Sequence, residues 1–229
     1  MANILLIETA TQVCSVALSI NGVVVSIKEE IGQNLHASNL TLFIQDAMKQ
    51  AKMVYGDLDA VSISKGPGSY TGLRIGTSTA KGLCFALDIP LIAIETLVMM
   101  AKGFIDEHPN YTGLICPMID ARRMEVYTAI FDKDLANLMP TEAKIIDQES
   151  FSDLLLANQI TFIGDGAAKC SGAIGNENTV FCNDNFNCAA NMAGLAEEAF
   201  LKKKLEDVAY FEPFYLKDFV VTKSKKNLL

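Results

Sequence analysis

The sequence predicts an α/β fold of two similar lobes, each a strand meander followed by helices, and three observations predict it. The chain opens on an apolar strand that ends in an acid and passes through a short turn into an alternating strand. The same order recurs 112 residues later, where Glu8 falls on Asp120 and Val16, Ala17 and Leu18 fall on Thr128, Ala129 and Ile130. Each copy then leads to a strand that runs into glycines and a helix. A repeated order of elements is the mark of a duplicated unit. Two unrelated α/β halves are the alternative.

The elements follow in order. Residues 3–8 form a continuous apolar run closed by Glu8, a buried strand. Thr9 to Gln12 turn, and residues 14–20 alternate as a half-buried strand. Asn21-Gly22 is a two-residue hairpin signal, so 23–28 return as a third strand. Over 36–52 a helix is predicted, with Leu40, Phe43, Ile44, Ala47, Met48 and Ala51 as one apolar stripe at 3–4 spacing.

Strand 60–64 then enters Gly66-Pro67-Gly68-Ser69-Tyr70-Thr71-Gly72-Leu73-Arg74-Ile75-Gly76, and a helix continues to about Leu87. Glycines permit close approach of other groups. Ser69 and Thr71 offer capping oxygens, and a helix start is a ready anion site. A packed strand-to-helix turn is the other reading. No Gly-Lys-Ser/Thr follows, which excludes a Walker phosphate loop. The helix itself is apolar nearly all round. Leu73, Gly76, Ala80, Leu83 and Leu87 mark one face, and Ile75, Thr79, Gly82, Phe85 and Ala86 another. Such a helix is covered on both sides, and its small residues admit a second helix closely.

The boundary is placed near Lys102-Gly103, giving lobes 1–102 and 103–210, with a closing segment of about 211–229 packing back on the first. In the second lobe, 114–120 is again an acid-tipped strand. Ala121-Arg122-Arg123 turn, 124–131 return, 159–163 lead into Gly164-Asp165-Gly166, and 191–204 read as a long helix.

Composition excludes several classes. The 229 residues carry a net charge of −8, so independent RNA binding is not expected, since phosphate neutralisation needs a basic face. Lysines 202–204 and 223, 225 and 226 read as a solvated helix end and tail. The six cysteines lack C-x-x-C spacing and are expected as buried free thiols in a reducing cytosol. His36 and His108 complete no metal set. No apolar run reaches the ~20 residues of a membrane span, and the opening residues lack a basic region, so no signal peptide is expected.

Lobes of this kind match the ribonuclease-H-like, actin and sugar-kinase (ASKHA) architecture, in which the acids and turns face a nucleotide. A more specific resemblance rests on particular segments. Ile4-Leu5-Leu6-Ile7-Glu8-Thr9-Ala10-Thr11 with Cys14 to Leu18, and the glycine segment Gly66 to Arg74, are similar to the TsaB (YeaZ) family. So are Ile119-Asp120-Ala121-Arg122-Arg123 with Glu125-Val126-Tyr127, Gly164-Asp165-Gly166, and Pro213 with Tyr215-Leu216-Lys217. They span about residues 4–217.

The resemblance implies a cytoplasmic, non-catalytic scaffold or activator. It would act with TsaD and the ATPase TsaE in threonylcarbamoyl transfer to the tRNA adenosine next to the anticodon. It would meet tRNA only through that complex, and pair with itself when TsaD is absent. TsaD-type enzymes carry an N-H-x-x-x-H pair on the matching helix, whereas here Thr96 and Met100 stand at the histidine positions. Both are poor ligands for a hard divalent ion, so no metal and no cofactor are expected. The ATP-using relatives have D-x-G-x-T/S in the first turn. Here Glu8-Thr9-Ala10-Thr11 puts a Cβ where phosphate approaches.

The expected partner surface, for TsaD or a second copy, is His36, Leu40, Phe43, Ile44, Ala47, Leu73, Ile75, Gly76, Thr79, Ala80, Leu83 and Phe85. A candidate anion or nucleotide cleft comprises Glu8, Thr9, Thr11, Gly68, Ser69, Asp120, Arg122, Gly164 and Gly166. A sugar-kinase-type phosphotransferase and a metallohydrolase are the alternatives in function.

Overall fold

The computed structural model describes residues 2–217. Its first sheet is built from β1 (Asn3–Glu8), β2 (Val13–Ile20), β3 (Val23–Ile31), β4 (Ala60–Gly66) and β5 (Leu91–Glu95), in the order β3-β2-β1-β4-β5. The second is built from β6 (Leu114–Asp120), β7 (Glu125–Phe131), β8 (Asn137–Ile145), β9 (Ile160–Ile163) and β10 (Thr179–Phe181), in the order β8-β7-β6-β9-β10. In each, the first three strands pair antiparallel and the last two join parallel to the first. The duplication is therefore complete at the level of the sheets. It is the two-lobed ASKHA arrangement.

Central strands buried on both faces read as unbroken apolar runs, which is why β1 and β6 were legible. Two helices, α1 (Leu35–Ala51) and α2 (Tyr70–Leu87), cover one face of the first sheet and close a core with Leu5, Ile7, Val16, Val61 and Ile63. The opposite face, with Leu6 and Ala17, shares a second core with Ile119, Ala129, Phe131 and Ile163 of the other sheet.

Helix α3 (Thr96–Glu107) lies in that shared core through Leu97, Met100, Ala101 and Phe104. Lys102 and Gly103 thus sit inside a helix that packs on both sheets. Helix α6 (Ala193–Leu201) comes from the second half of the sequence but packs on β1, β3 and β5 of the first sheet.

Three elements of the second lobe differ from expectation. The long helix over 191–204 is a 3-10 turn, Ala189–Met192, followed by the nine residues of α6. The Asn191 side chain donates back to the Phe186 carbonyl at 3.0 Å, and Lys203 turns left-handed at φ 54 to end the helix. Helix α5 (Ala167–Cys170), after the second glycine segment, has only four residues, because Ser171 and Gly172 follow at once. Strand β8 contains Pro140, which an edge strand tolerates and a sequence pattern hides. A short helix, α4 (Ser152–Leu155), precedes β9.

The closing segment straps the molecule. Glu206 bridges to Leu91, Phe211 enters the first-lobe core, and the Phe214 N–H donates to the Lys65 carbonyl at 2.7 Å. Burying a phenylalanine is worth about 2 kcal/mol. Lys81 on α2 donates to the carbonyls of Ala209 and Phe211 at 3.0 and 3.1 Å. Of the expected segment 211–229, residues 218–229 lie outside the described residues.

Candidate functional site

The glycine loop is built around the turn that follows β1. A Cβ on Gly68 would strike the Ala10 carbonyl oxygen, one on Gly72 the Thr9 carbonyl oxygen, and one on Gly76 the Thr9 hydroxyl. The Ser69 N–H donates to the Ala10 carbonyl at 2.6 Å, and the Ser69 hydroxyl caps α2 by accepting from the Gly72 N–H at 3.3 Å. At the loop's entrance Gly66 takes φ 115, where a side chain would also meet the Phe214 carbonyl oxygen at 2.7 Å. These glycines serve helix-to-turn contact. Thr9 and Ala10 are fully buried beneath α2, and Thr11 nearly so.

The candidate cleft residues consequently separate into two groups. Glu8 is fully buried, with one carboxylate oxygen accepting the Ala10 N–H and the other without a partner. Burial pushes its acid up to about 7, against the opposing pull of Ser64 and the Ala10 N–H. Asp120 is exposed and tied into its own lobe. It pairs with Lys169 and accepts the Arg122 N–H at 2.7 Å. Gly166 donates to the Met118 carbonyl at 3.0 Å, and Gly164 gives room to the Met100 methyl. No hydrogen bond or ion pair joins the two groups among the described residues. Of the candidate cleft residues, Glu8 is thus sealed beneath a turn on which the glycine loop packs, while Asp120 is exposed.

A polar pocket of about 310 Å³ does open nearby, between Thr11, Gln12 and the starts of α1 and α2. On α2 the exposed residues Thr71, Arg74, Ser78, Gly82 and Phe85 recur at 3–4 spacing, with Phe85 85% exposed. No acid lies anywhere on this helix.

The family model described as "TsaD: tRNA N6-adenosine threonylcarbamoyltransferase" matches residues 24–225. The chain is 31% identical over 228 residues to the tRNA threonylcarbamoyladenosine biosynthesis protein TsaB of Escherichia coli (strain K12), covering 96% of each chain. It belongs to the TsaB (YeaZ) family. The protein of the same name from Haemophilus influenzae is 29% identical, over 96% of this chain and 95% of that one. A structure described as YeaZ from Pseudomonas aeruginosa superposes with a TM-score of 0.83 at 24% identity, over 94% of this chain and all of that one, which shows the shared fold.

Within this TsaB-family chain the expected partner residues divide by burial. Leu40, Phe43, Ile44 and Ala47 are buried in the first lobe's own core. Leu73, Gly76 and Ala80 are buried on the inner side of α2. His36 is buried too, its ring Nε2–H donating to the Val13 carbonyl at 3.0 Å. These eight expected contact residues are therefore buried within the chain itself. Ile75, Thr79 and Leu83 are half-buried, and Phe85 stands free.

Thr96 and Met100, at the positions where the resemblance puts histidines, are both fully buried. All six cysteines are free; burial pushes the Cys116 thiol up to about 12. One grouping was missed from the sequence. Arg74 lies over the Tyr70 ring at 4.2 Å, and Tyr70 meets Tyr215 at 4.8 Å between ring centres. The signal available was the pairing of the glycine segment with the closing segment in one resemblance.

Proposed function

We propose that this chain is a non-catalytic subunit of the cytoplasmic machinery that makes threonylcarbamoyladenosine in tRNA. It would bind a TsaD-type transferase, work with a TsaE-type ATPase, meet tRNA in that complex, and self-associate when the transferase is absent. The observation that carries this reading is the pair Thr96 and Met100. Both are sealed in the inter-sheet core, and the Met100 methyl packs on Gly164. A hydroxyl and a thioether in a packed core offer nothing to a hard metal ion. The outer stripe of α2 supports the binding role. Phe85 is a large exposed anchor, and Gly82 has open space where a partner helix would approach.

Reconstitution tests the reading. Threonylcarbamoyl transfer to tRNA is expected to require this chain together with its TsaD-type partner, and the chain alone is expected to transfer nothing. Full transfer by the partner without this chain would refute the scaffold role. Phe85→Glu is expected to weaken partner binding about 30-fold or more, as loss of an aromatic hot spot does. Its melting temperature should stay within the small range of surface changes. Co-purification of the Phe85→Glu chain at wild-type yield would move the interface off this face.

A further inference from the structure

One of the three arginines of this acidic chain meets the closing segment, and the other two lie in the turn before Glu125, which that segment's Lys217 reaches. Arg74 leaves α2 with its guanidinium over Tyr70, and its Nε donates to the Tyr215 hydroxyl at 3.4 Å. Two residues on, Lys217 crosses to the second lobe, where it pairs with Glu125 and lies 5.9 Å from the centre of the Tyr127 ring. The turn before Glu125 carries Arg122 and Arg123, both exposed.

Among the described residues no arginine takes part in an ion pair. Of the neighbouring acids, Glu125 is engaged by Lys217, Asp120 by Lys169 and Asp165 by the Asp120 N–H at 3.0 Å, while Glu212 of the closing segment is exposed. This region holds Arg74, Arg122, Arg123, Lys169 and Lys217 beside the carboxylates of Glu125, Asp120, Asp165 and Glu212, while the chain as a whole is at −8.

The backbone adds an independent observation. Arg122 and Arg123 take φ 73 and φ 53 in succession, a left-handed pair for which Asn-Gly is the relaxed choice. The β2–β3 turn of the same protein uses that choice, with Asn21 and Gly22 at φ 53 and φ 75. Two arginines held where the backbone disfavours them concentrate charge at the cost of strain, and such strain gathers at functional positions.

We propose that this face contacts the phosphate backbone of the RNA on which the assembled complex acts, an inference that rests on the function proposed above. Unpaired guanidinium groups suit phosphate in two-pronged hydrogen bonding. The stack of Arg74, Tyr70 and Tyr215 adds the aromatic and guanidinium planes on which unpaired bases settle. An acidic protein surface would use the charge but has no use for the stack. Because the net charge opposes RNA, the face acts by adding to what the partner supplies.

The test compares tRNA binding by the complex with the TsaD-type partner, across a salt series, for wild-type chain and the double variant Arg122→Asn/Arg123→Gly. The double variant removes two charges and relaxes the turn, so it is expected to melt no lower than wild type. It should bind tRNA about tenfold more weakly, and the slope of log affinity against log salt should fall by about 1.5 for two lost phosphate contacts. Partner binding should not change. Unaltered affinity and slope would overturn the proposal, and so would lost partner binding with tRNA affinity retained, which would mark a protein contact. If transfer is normal and only the double variant's RNA binding is unaffected, the RNA face alone falls. A wild-type complex supplied with the TsaE-type ATPase that neither binds tRNA nor transfers would sink the proposed function with it.

Discussion

Gly72→Ala is expected to destabilise the chain by about 2 kcal/mol or more, although helix propensity alone argues for a gain of about 1 kcal/mol. The added methyl would land on the Thr9 carbonyl oxygen, which is backbone rather than a flexible side-chain end. That turn cannot yield cheaply. Thr9 is fully buried, the next carbonyl accepts the Ser69 N–H at 2.6 Å, and the next N–H is held by the Glu8 carboxylate. Gly82 is the control on the same helix, since a methyl there meets nothing within 4 Å. Gly82→Ala should follow propensity and gain up to about 1 kcal/mol. Urea midpoints of the two variants and wild type decide the matter. If both alanines stabilise, the close packing of the glycine loop on the first turn is wrong.

The contrast shows which parts of this fold were legible in the sequence. Strands β1, β2, β4 and β6 were plain, because period and apolar runs are local properties, and so were α1 and the end of α2. What covers an apolar stripe is not local. Leu40, Phe43, Ile44 and Ala47 look the same in sequence whether a partner or the chain's own sheet lies against them; the structure puts Val16 and Ile63 there. The informative residue was Phe85 on α2, which is largely exposed.

The glycines show the same limit from another side. Their role depends on Thr9 and Ala10, some sixty residues earlier, and no pattern within the segment indicates that contact. In the second lobe the glycine segment is similar in letters, yet only a four-residue helix follows it. The repeat was therefore readable in sheet order and unreadable in helix length. Helix length depends on local stops such as Ser171 and Lys203, and these differ between the halves.

Glu8→Gln is expected to remove a pH dependence of folding worth about 3 kcal/mol. Glu8 sits at the end of β1 with one oxygen unpartnered, close to Ser64, and its acid is raised from 4.5 to about 7 by burial first of all. Among the described residues no cation compensates it; the charge beside it, Glu29, pushes the same way. The folded chain therefore keeps a proton that the unfolded chain releases above pH 4.5. Stability from this group is complete below that pH and is lost progressively as pH rises to about 7, where the folded carboxyl ionises. At about 1.4 kcal/mol per unit, a shift of roughly two and a half units gives the stated size. Glutamine keeps the acceptor for the Ala10 N–H and adds a donor toward the serine hydroxyls, with no charge to lose. Denaturant titrations at pH 5 and pH 8 should show wild type weakening relative to Glu8→Gln, with the two curves converging toward acid. Parallel pH dependence in the two proteins would mean that Glu8 is ionised in the fold, and that the cleft at the first turn is open to a cation or water after all.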